Sequence, residues 1–185
     1  MYKPFCSIIV IYFIILTGCS DSTKYNDEDV AAIVRGEEIT IGELRFLYPD
    51  EEILNMIDGT IKAKLVIQEA KSMNIDVSKE VKETIEALGD YPPDHINSEA
   101  ANSIREFAEP QAKKLGLAPE EYYKKYIEKT TEISAYINSY IQEVLGEPMD
   151  DIEEYNQKAN KQLNVLVEEN EDQIKILIGV ENMNF

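Results

Sequence analysis

Few side chains in this 185-residue sequence can do covalent or acid–base chemistry near neutral pH. The candidates are Cys6, Cys19 and the single histidine, His95. A cysteine can serve as nucleophile, metal ligand, disulfide partner or acyl acceptor, depending on its neighbours. His95 follows Asp90-Tyr91-Pro92-Pro93-Asp94, where two prolines forbid helix. No nucleophile motif accompanies it, so it reads as an exposed loop residue. The chain has no nucleophile elbow, no phosphate-cradling glycine loop and no zinc-ligand spacing. Its 36 Asp and Glu leave a carboxylate-only hydrolase open, but no spacing selects an acid–base pair. Glu168-Glu169-Asn170-Glu171-Asp172 lacks the alternating oxygen ligands and central glycine of a calcium loop. It reads as a solvated turn, and Asp150-Asp151 with Glu153-Glu154 reads as an acidic helix start. The expectation is a chain with no catalytic residue, no cofactor and no metal.

Cys19 has the most informative surroundings. Lys3 precedes an apolar run of 12 residues, Phe5 to Leu16, broken only by Ser7. The run is shorter than the roughly 20 residues a membrane-spanning helix needs. A basic start, a short apolar core and small residues before a cut site make a secretory signal. Polar residues follow at once, from Ser20 to Asp29. In that setting Leu16-Thr17-Gly18-Cys19 resembles the lipobox of bacterial lipoproteins. That resemblance implies diacylglyceryl transfer to the Cys19 sulfur and cleavage just before it. Residues 1–18 are then a signal peptide, 19–29 a polar tether and 30–185 the folded body. Two acyl chains on one residue meet the requirement for stable anchoring. The expected location is the extracytoplasmic face of the cell membrane, with lipid as partner through acylated Cys19. The alternative is an ordinary secreted protein with a free Cys19.

On that reading the mature chain keeps no free thiol, because Cys6 leaves with the signal. It has no disulfide framework, so its stability must come from its core. Residues 19–185 suit one domain. Removing residues 1–18 takes away Lys3 and no acid, moving the formal charge from −18 to −19. Such a balance excludes nucleic acid, whose phosphates demand a basic face. It also opposes lying flat on anionic lipid. Ten tether residues give a root-mean-square reach of roughly 17 Å.

The hydrophobic pattern is mainly helical. Val30–Val34 is β-prone, Arg35-Gly36-Glu37-Glu38 makes a turn, and Ile39 resumes an extended piece, giving a hairpin. Thr40-Ile41-Gly42-Glu43 is a capping box opening a short helix that ends near Tyr48-Pro49. A longer helix spans 51–73, with Ile53, Ile57, Ile61, Leu65 and Gln68 on one stripe, widened by Leu54, Met56 and Ile67. Ser78 caps a third helix, with Val81, Ile85 and Leu88 on one side and Gly89 as its stop. The segment 97–109 forms a fourth, ended or kinked by Pro110. Pro119 then opens a helix running to Leu145, with a packed seam of Tyr123, Tyr126, Thr130, Ile133, Ile137, Tyr140 and Val144. Asp150 begins another, with Ile152, Tyr155, Ala159 and Leu163 inward. Val165 and Val167, then Ile174, Ile176 and Ile178, alternate with period two. At least one tail strand is expected, at about 173–178, pairing with the N-terminal hairpin. The fold class is therefore mainly α: a multi-helix domain with a small sheet formed by N- and C-terminal segments.

From Val30 to about Leu88 the chain resembles the N-terminal domain of the SurA/foldase-type (PrsA-like) lipoproteins. The matching features are the hairpin Val30–Thr40, the helix segment Leu65-Val66-Ile67-Gln68-Glu69-Ala70-Lys71, and Asn74-Ile75-Asp76-Val77-Ser78 leading into Glu80-Val81. Leu115-Gly116-Leu117-Ala118-Pro119-Glu120-Glu121-Tyr122 resembles the turn opening that family's next long helix. One departure is Arg35, where the family commonly has asparagine. Another is the absence of room for a parvulin isomerase domain in the 27 residues after Lys158, together with a single histidine where parvulin sites commonly use a pair. The resemblance implies chaperone-like binding of unfolded or secretory polypeptide, without isomerase activity. The alternative is a non-catalytic interaction subunit that binds one folded partner in an envelope complex. Aromatic residues are the candidate peptide-binding groups: Phe46 and Tyr48 at the end of the first helix, and Tyr122 and Tyr136 off the seam of the long helix. Each could instead be a core residue, with Tyr126 and Tyr140 the more natural core members.

Overall fold

The computed structural model describes residues 25–148 and 151–178. Cys19, the signal segment and most of the tether lie outside them. The described chain is mainly helical, with one three-stranded antiparallel sheet built from both ends of the body. Strands β1 (Val30–Val34) and β2 (Glu37–Thr40) form the hairpin. The turn is tighter than the sequence reading, only Arg35 and Gly36, with φ of 48° and 83°. Positive φ at both central residues matches the twist of the flanking strands. Arg35 tolerates this conformation in a well-tied position. Its guanidinium meets Glu69 at 2.8 Å, and its Nε donates to Asn170 Oδ1 at 2.9 Å. The hairpin tip is thereby fastened both to the second helix and to the acidic turn before the last strand.

Helix α1 (Ile41–Leu47) carries the expected reciprocal cap, in which Thr40 Oγ1 accepts from the Glu43 amide and Glu43 reaches back to the Thr40 amide. Helix α2 (Ile57–Ser72) starts later than predicted, after a 3₁₀ turn at Leu54–Met56. Its stripe is as read: Ile53, Ile57, Ile61 and Leu65 are fully buried, and Gln68 donates to the Val34 carbonyl at 3.1 Å. Met56 is exposed instead of widening it. Helix α3 (Ser78–Leu88) ends at Gly89 as expected, but Ser78 does not cap it. Asp76 Oδ1 accepts from the Ser78 amide instead.

Helix α4 (Glu99–Leu115) runs past the predicted boundary, because Pro110 lies inside it and does not end it. An interior proline costs about 3 kcal/mol. Ala108 and Ala112 flank it, both fully buried beside Tyr122 and Tyr123, and this packing offsets the lost bond. Gly116, at φ 67°, closes the helix, and the Leu117 amide reaches the Ala112 carbonyl at 2.9 Å. Helix α5 (Pro119–Leu145) has its predicted bounds, and of its predicted seam Tyr123 and Tyr140 are buried while Tyr126, Thr130, Ile133 and Ile137 are only partly so. Its buried residues are Tyr122, Tyr123, Thr131, Ala135, Tyr140 and Ile141, while Val144 is exposed. Two stripes are needed because α5 packs on α2, α3 and α4 at once.

Helix α6 (Ile152–Glu168) is capped by Asp151 and runs through Val165 and Val167, despite their strand-like period-two spacing. Leu166 and Val167 are buried in the main core, and that packing keeps the segment helical. Ile152 is exposed rather than inward-facing. Strand β3 is shorter than expected, Ile174–Ile176, and pairs antiparallel with β1. The sheet order is β2-β1-β3. The main core joins the sheet, α2, α6 and the C-terminal half of α5. A second, aromatic core joins α4 to the N-terminal half of α5, with Phe46 of α1 packed against it.

Candidate functional site

Helix α3 contributes no buried side chain, although Val77, just before it, is buried. Val77, Val81 and Ile85 recur every four residues, which puts them on one face. That face looks onto α5 and encloses an open groove of about 740 Å³. Phe46 and Tyr136 line it with Val81 and Ile85, while Lys82, Glu86, Lys125, Glu128, Lys129 and Glu132 supply its charges. Lys125 pairs with Glu121 at 2.7 Å and Lys82 with Glu86 at 4.0 Å, both one turn apart and solvent-facing. Such pairs contribute little to stability and yield readily to a ligand's charges. The groove is therefore apolar in its floor and of mixed sign at its rim.

A smaller cavity of about 150 Å³ adjoins it, sharing Lys129 and Glu132 and lined by Ile39, Leu47, Ala63, Ile67 and Ile133. Glu37 sits at its edge. The hydrogen bond from Lys64, 2.9 Å away, holds its carboxyl below the usual range, with Gln68 assisting. Gln68 Oε1 is buried with no partner among the described residues.

The four predicted aromatics separate clearly. Phe46 and Tyr136 line the groove. Tyr136 is half-buried, with Lys71 Nζ 5.3 Å from its ring centre. Tyr48 ends α1 outside the groove lining; its hydroxyl accepts from Thr60 at 3.4 Å and its carbonyl from Lys114 at 3.0 Å. Tyr122 is fully buried, which corrects the expectation of a cleft position. Its hydroxyl donates to the Phe46 carbonyl at 3.1 Å, and its ring meets Phe46 edge-on at 5.4 Å. Phe107 and Tyr126 complete this cluster. Tyr122 is thus a support for the groove floor. Val81 and Ile85 were legible as an apolar helix face together with Leu88, which is exposed, but no signal marked that face as a groove wall or added Val77 to it. Cys19 lies outside the described residues.

Burial pushes the Tyr122 hydroxyl up to about 12, and burial also raises Tyr123 and Tyr126. A raised folded-state value means the unfolded chain ionises first as pH climbs. The contribution of Tyr122 to stability is complete below about pH 10 and is lost between about pH 10 and 12. Denaturant melts at increasing pH are expected to show this decline, and Tyr122→Phe should make it shallower. An identical slope in the variant would count against the assignment.

His95 is exposed in its proline loop, which Arg105 clasps through the carbonyls of Pro92, Pro93 and Ile96. Among the described residues no cluster of three His, Cys, Asp or Glu could hold a metal ion, and no helix is long and apolar enough to cross a membrane. No family model, curated protein or solved structure matches this chain. Function has to be read from the groove's own chemistry.

Proposed function

We propose that this chain is a lipid-anchored extracytoplasmic lipoprotein whose α3–α5 groove binds unfolded or exported polypeptide, without isomerase activity. The observation that carries the reading is the groove itself: an amphipathic helix with its apolar face only half covered, opposite charged residues of α5. Its volume lies within the roughly 300–1,000 Å³ of ordinary ligand sites. Apolar side chains of a client fill such a floor, and a rim carrying both signs accommodates varied neighbours without selecting one sequence. The lipobox-like Leu16-Thr17-Gly18-Cys19 supports placement on the membrane surface, and the resemblance of residues 30–88 to foldase N-terminal domains supports the client class.

The test uses the soluble 20–185 fragment at modest molar excess over an aggregating client. Slower light-scattering growth across several unrelated clients is expected, and no effect on any of them removes the reading. Cross-linking from membranes separates the alternative. A broad population of secretory chains fits client binding, whereas one dominant folded partner assigns the groove to a dedicated envelope complex. Mass spectrometry of the mature N-terminus is expected to find acylated Cys19 as the first residue. Unmodified Cys19 would overturn the anchoring.

A further inference from the structure

A second surface lies along the β3 edge of the sheet, and it stands independently of the groove. Among the described residues β3 is an outer strand, with β1 on one side only. Its register pairs Ile33 with Lys175, and the Leu177 amide and Gln173 carbonyl also bond toward β1. Backbone groups alternate in an antiparallel ladder, so Ile174 and Ile176 direct theirs outward. The Ile174 amide is used by the Glu171 carbonyl. Among the described residues the outward edge therefore offers the N–H and C=O of Ile176 and the C=O of Ile174.

Beside this edge is a pocket of about 470 Å³, lined by Val167, Ile174 and Ile176 with Glu168 and Glu171 at its mouth. Both glutamates are exposed, and Glu169 and Asp172 on the same turn add to the negative field. Lys175 alternates to the other face of the strand, and Arg35, which reaches this turn at Asn170, is engaged by Glu69. An open edge next to an apolar pocket is the arrangement used in strand addition, where ladder bonds supply affinity and pockets for alternate side chains supply specificity.

We propose that the β3 edge docks an extended polypeptide segment as a fourth strand, and that this segment alternates apolar residues and is flanked by lysine or arginine. The residue facing Ile176 exchanges two backbone hydrogen bonds with it. An apolar neighbour on the core side enters the pocket against Val167, Ile174 and Ile176, while flanking cations meet Glu168 and Glu171. Charge complementarity with this turn selects basic over acidic segments.

The test is fluorescence anisotropy with the mature protein and a labelled Lys-Val-Thr-Val-Thr-Val-Lys peptide. N-methylation of the peptide's alternate, protein-facing amides is expected to weaken binding at least tenfold. Glu168→Lys with Glu171→Lys, both at exposed positions, is expected to weaken it at least fivefold without changing the melt. The Ile176 amide is expected to gain hydrogen-exchange protection in the complex. Equal affinity of the N-methylated peptide, equal affinity of a glutamate-flanked peptide, or no binding at all would overturn the proposal. Loss of binding on replacing Val81 and Ile85 would also overturn it, by assigning the peptide to the groove.

Discussion

Val81→Asp combined with Ile85→Asp is expected to abolish client protection in a protein that still folds, with its melting temperature lowered by roughly 3–12 °C. The variant still folds because α3 lends no fully buried side chain to either core, so only the half of each side chain already covered in the free protein is lost from the fold. Val81 and Ile85 are half-buried in the free protein, so a bound client completes their burial. Full burial of a valine or isoleucine side chain is worth about 1.5–3 kcal/mol. Half of that at two positions amounts to about 1.5–3 kcal/mol, or roughly a ten- to hundredfold change in affinity. The introduced carboxylates add a desolvation cost whenever an apolar client side chain is pressed against them. Aspartate has a helix propensity close to that of valine, so α3 itself should persist. The paired measurements are aggregation kinetics with the client and a thermal melt of the variant alone. Undiminished protection in a folded variant rules out the α3–α5 groove as the binding site.

What the sequence revealed and what it hid divide along the range of the interactions involved. Thr40 with Glu43, Gly36 in its turn, Gly89, Gly116 and Pro119 act within a few residues, and each takes the predicted role in the structure. The pairing of the tail strand with the hairpin was also readable, because a short alternating run with an apolar face needs a sheet to join. Longer-range competition decided the rest. Pro110 is a helix breaker locally, yet Ala108 and Ala112 press α4 so closely against the tyrosines of α5 that the helix continues. Val165 and Val167 alternate like strand residues, yet the main core takes the end of α6 as helix. The seam assigned to α5 assumed one packing partner, whereas α5 has several, and this is why Tyr122 and not Tyr126 is the fully buried ring. Half of the candidate site was visible, since Phe46 and Tyr136 line the groove. Its α3 wall was not. Val81 and Ile85 form the same periodic stripe whether a neighbour covers them or solvent does, and only the tertiary arrangement decides which.

Tyr122→Ala is expected to give the largest stability loss of any single groove-supporting change. Tyr122 heads the fully buried side chains, and the core it anchors otherwise buries Tyr123 and the small Ala108 and Ala112. Truncating a buried aromatic to alanine costs about 3–5 kcal/mol, because transfer energy is lost and the cavity left behind collapses only in part. For a chain of this size each kcal/mol shifts the melting temperature by about 2–4 °C, so a fall of roughly 6–20 °C is expected. Tyr122→Phe keeps the ring and removes only the hydrogen bond to the Phe46 carbonyl, at a cost of about 1 kcal/mol. The two variants also differ at the groove. Phe46 rests edge-on against the Tyr122 ring, so alanine leaves the groove floor unsupported whereas phenylalanine preserves the contact. Client protection measured well below each variant's melting temperature should therefore drop in Tyr122→Ala and persist in Tyr122→Phe. A Tyr122→Ala protein with an unshifted melt would show that the aromatic core does not hold α4, α5 and the end of α1 together. Equal loss of protection in both variants would instead tie the function to the hydroxyl rather than to the ring that supports Phe46.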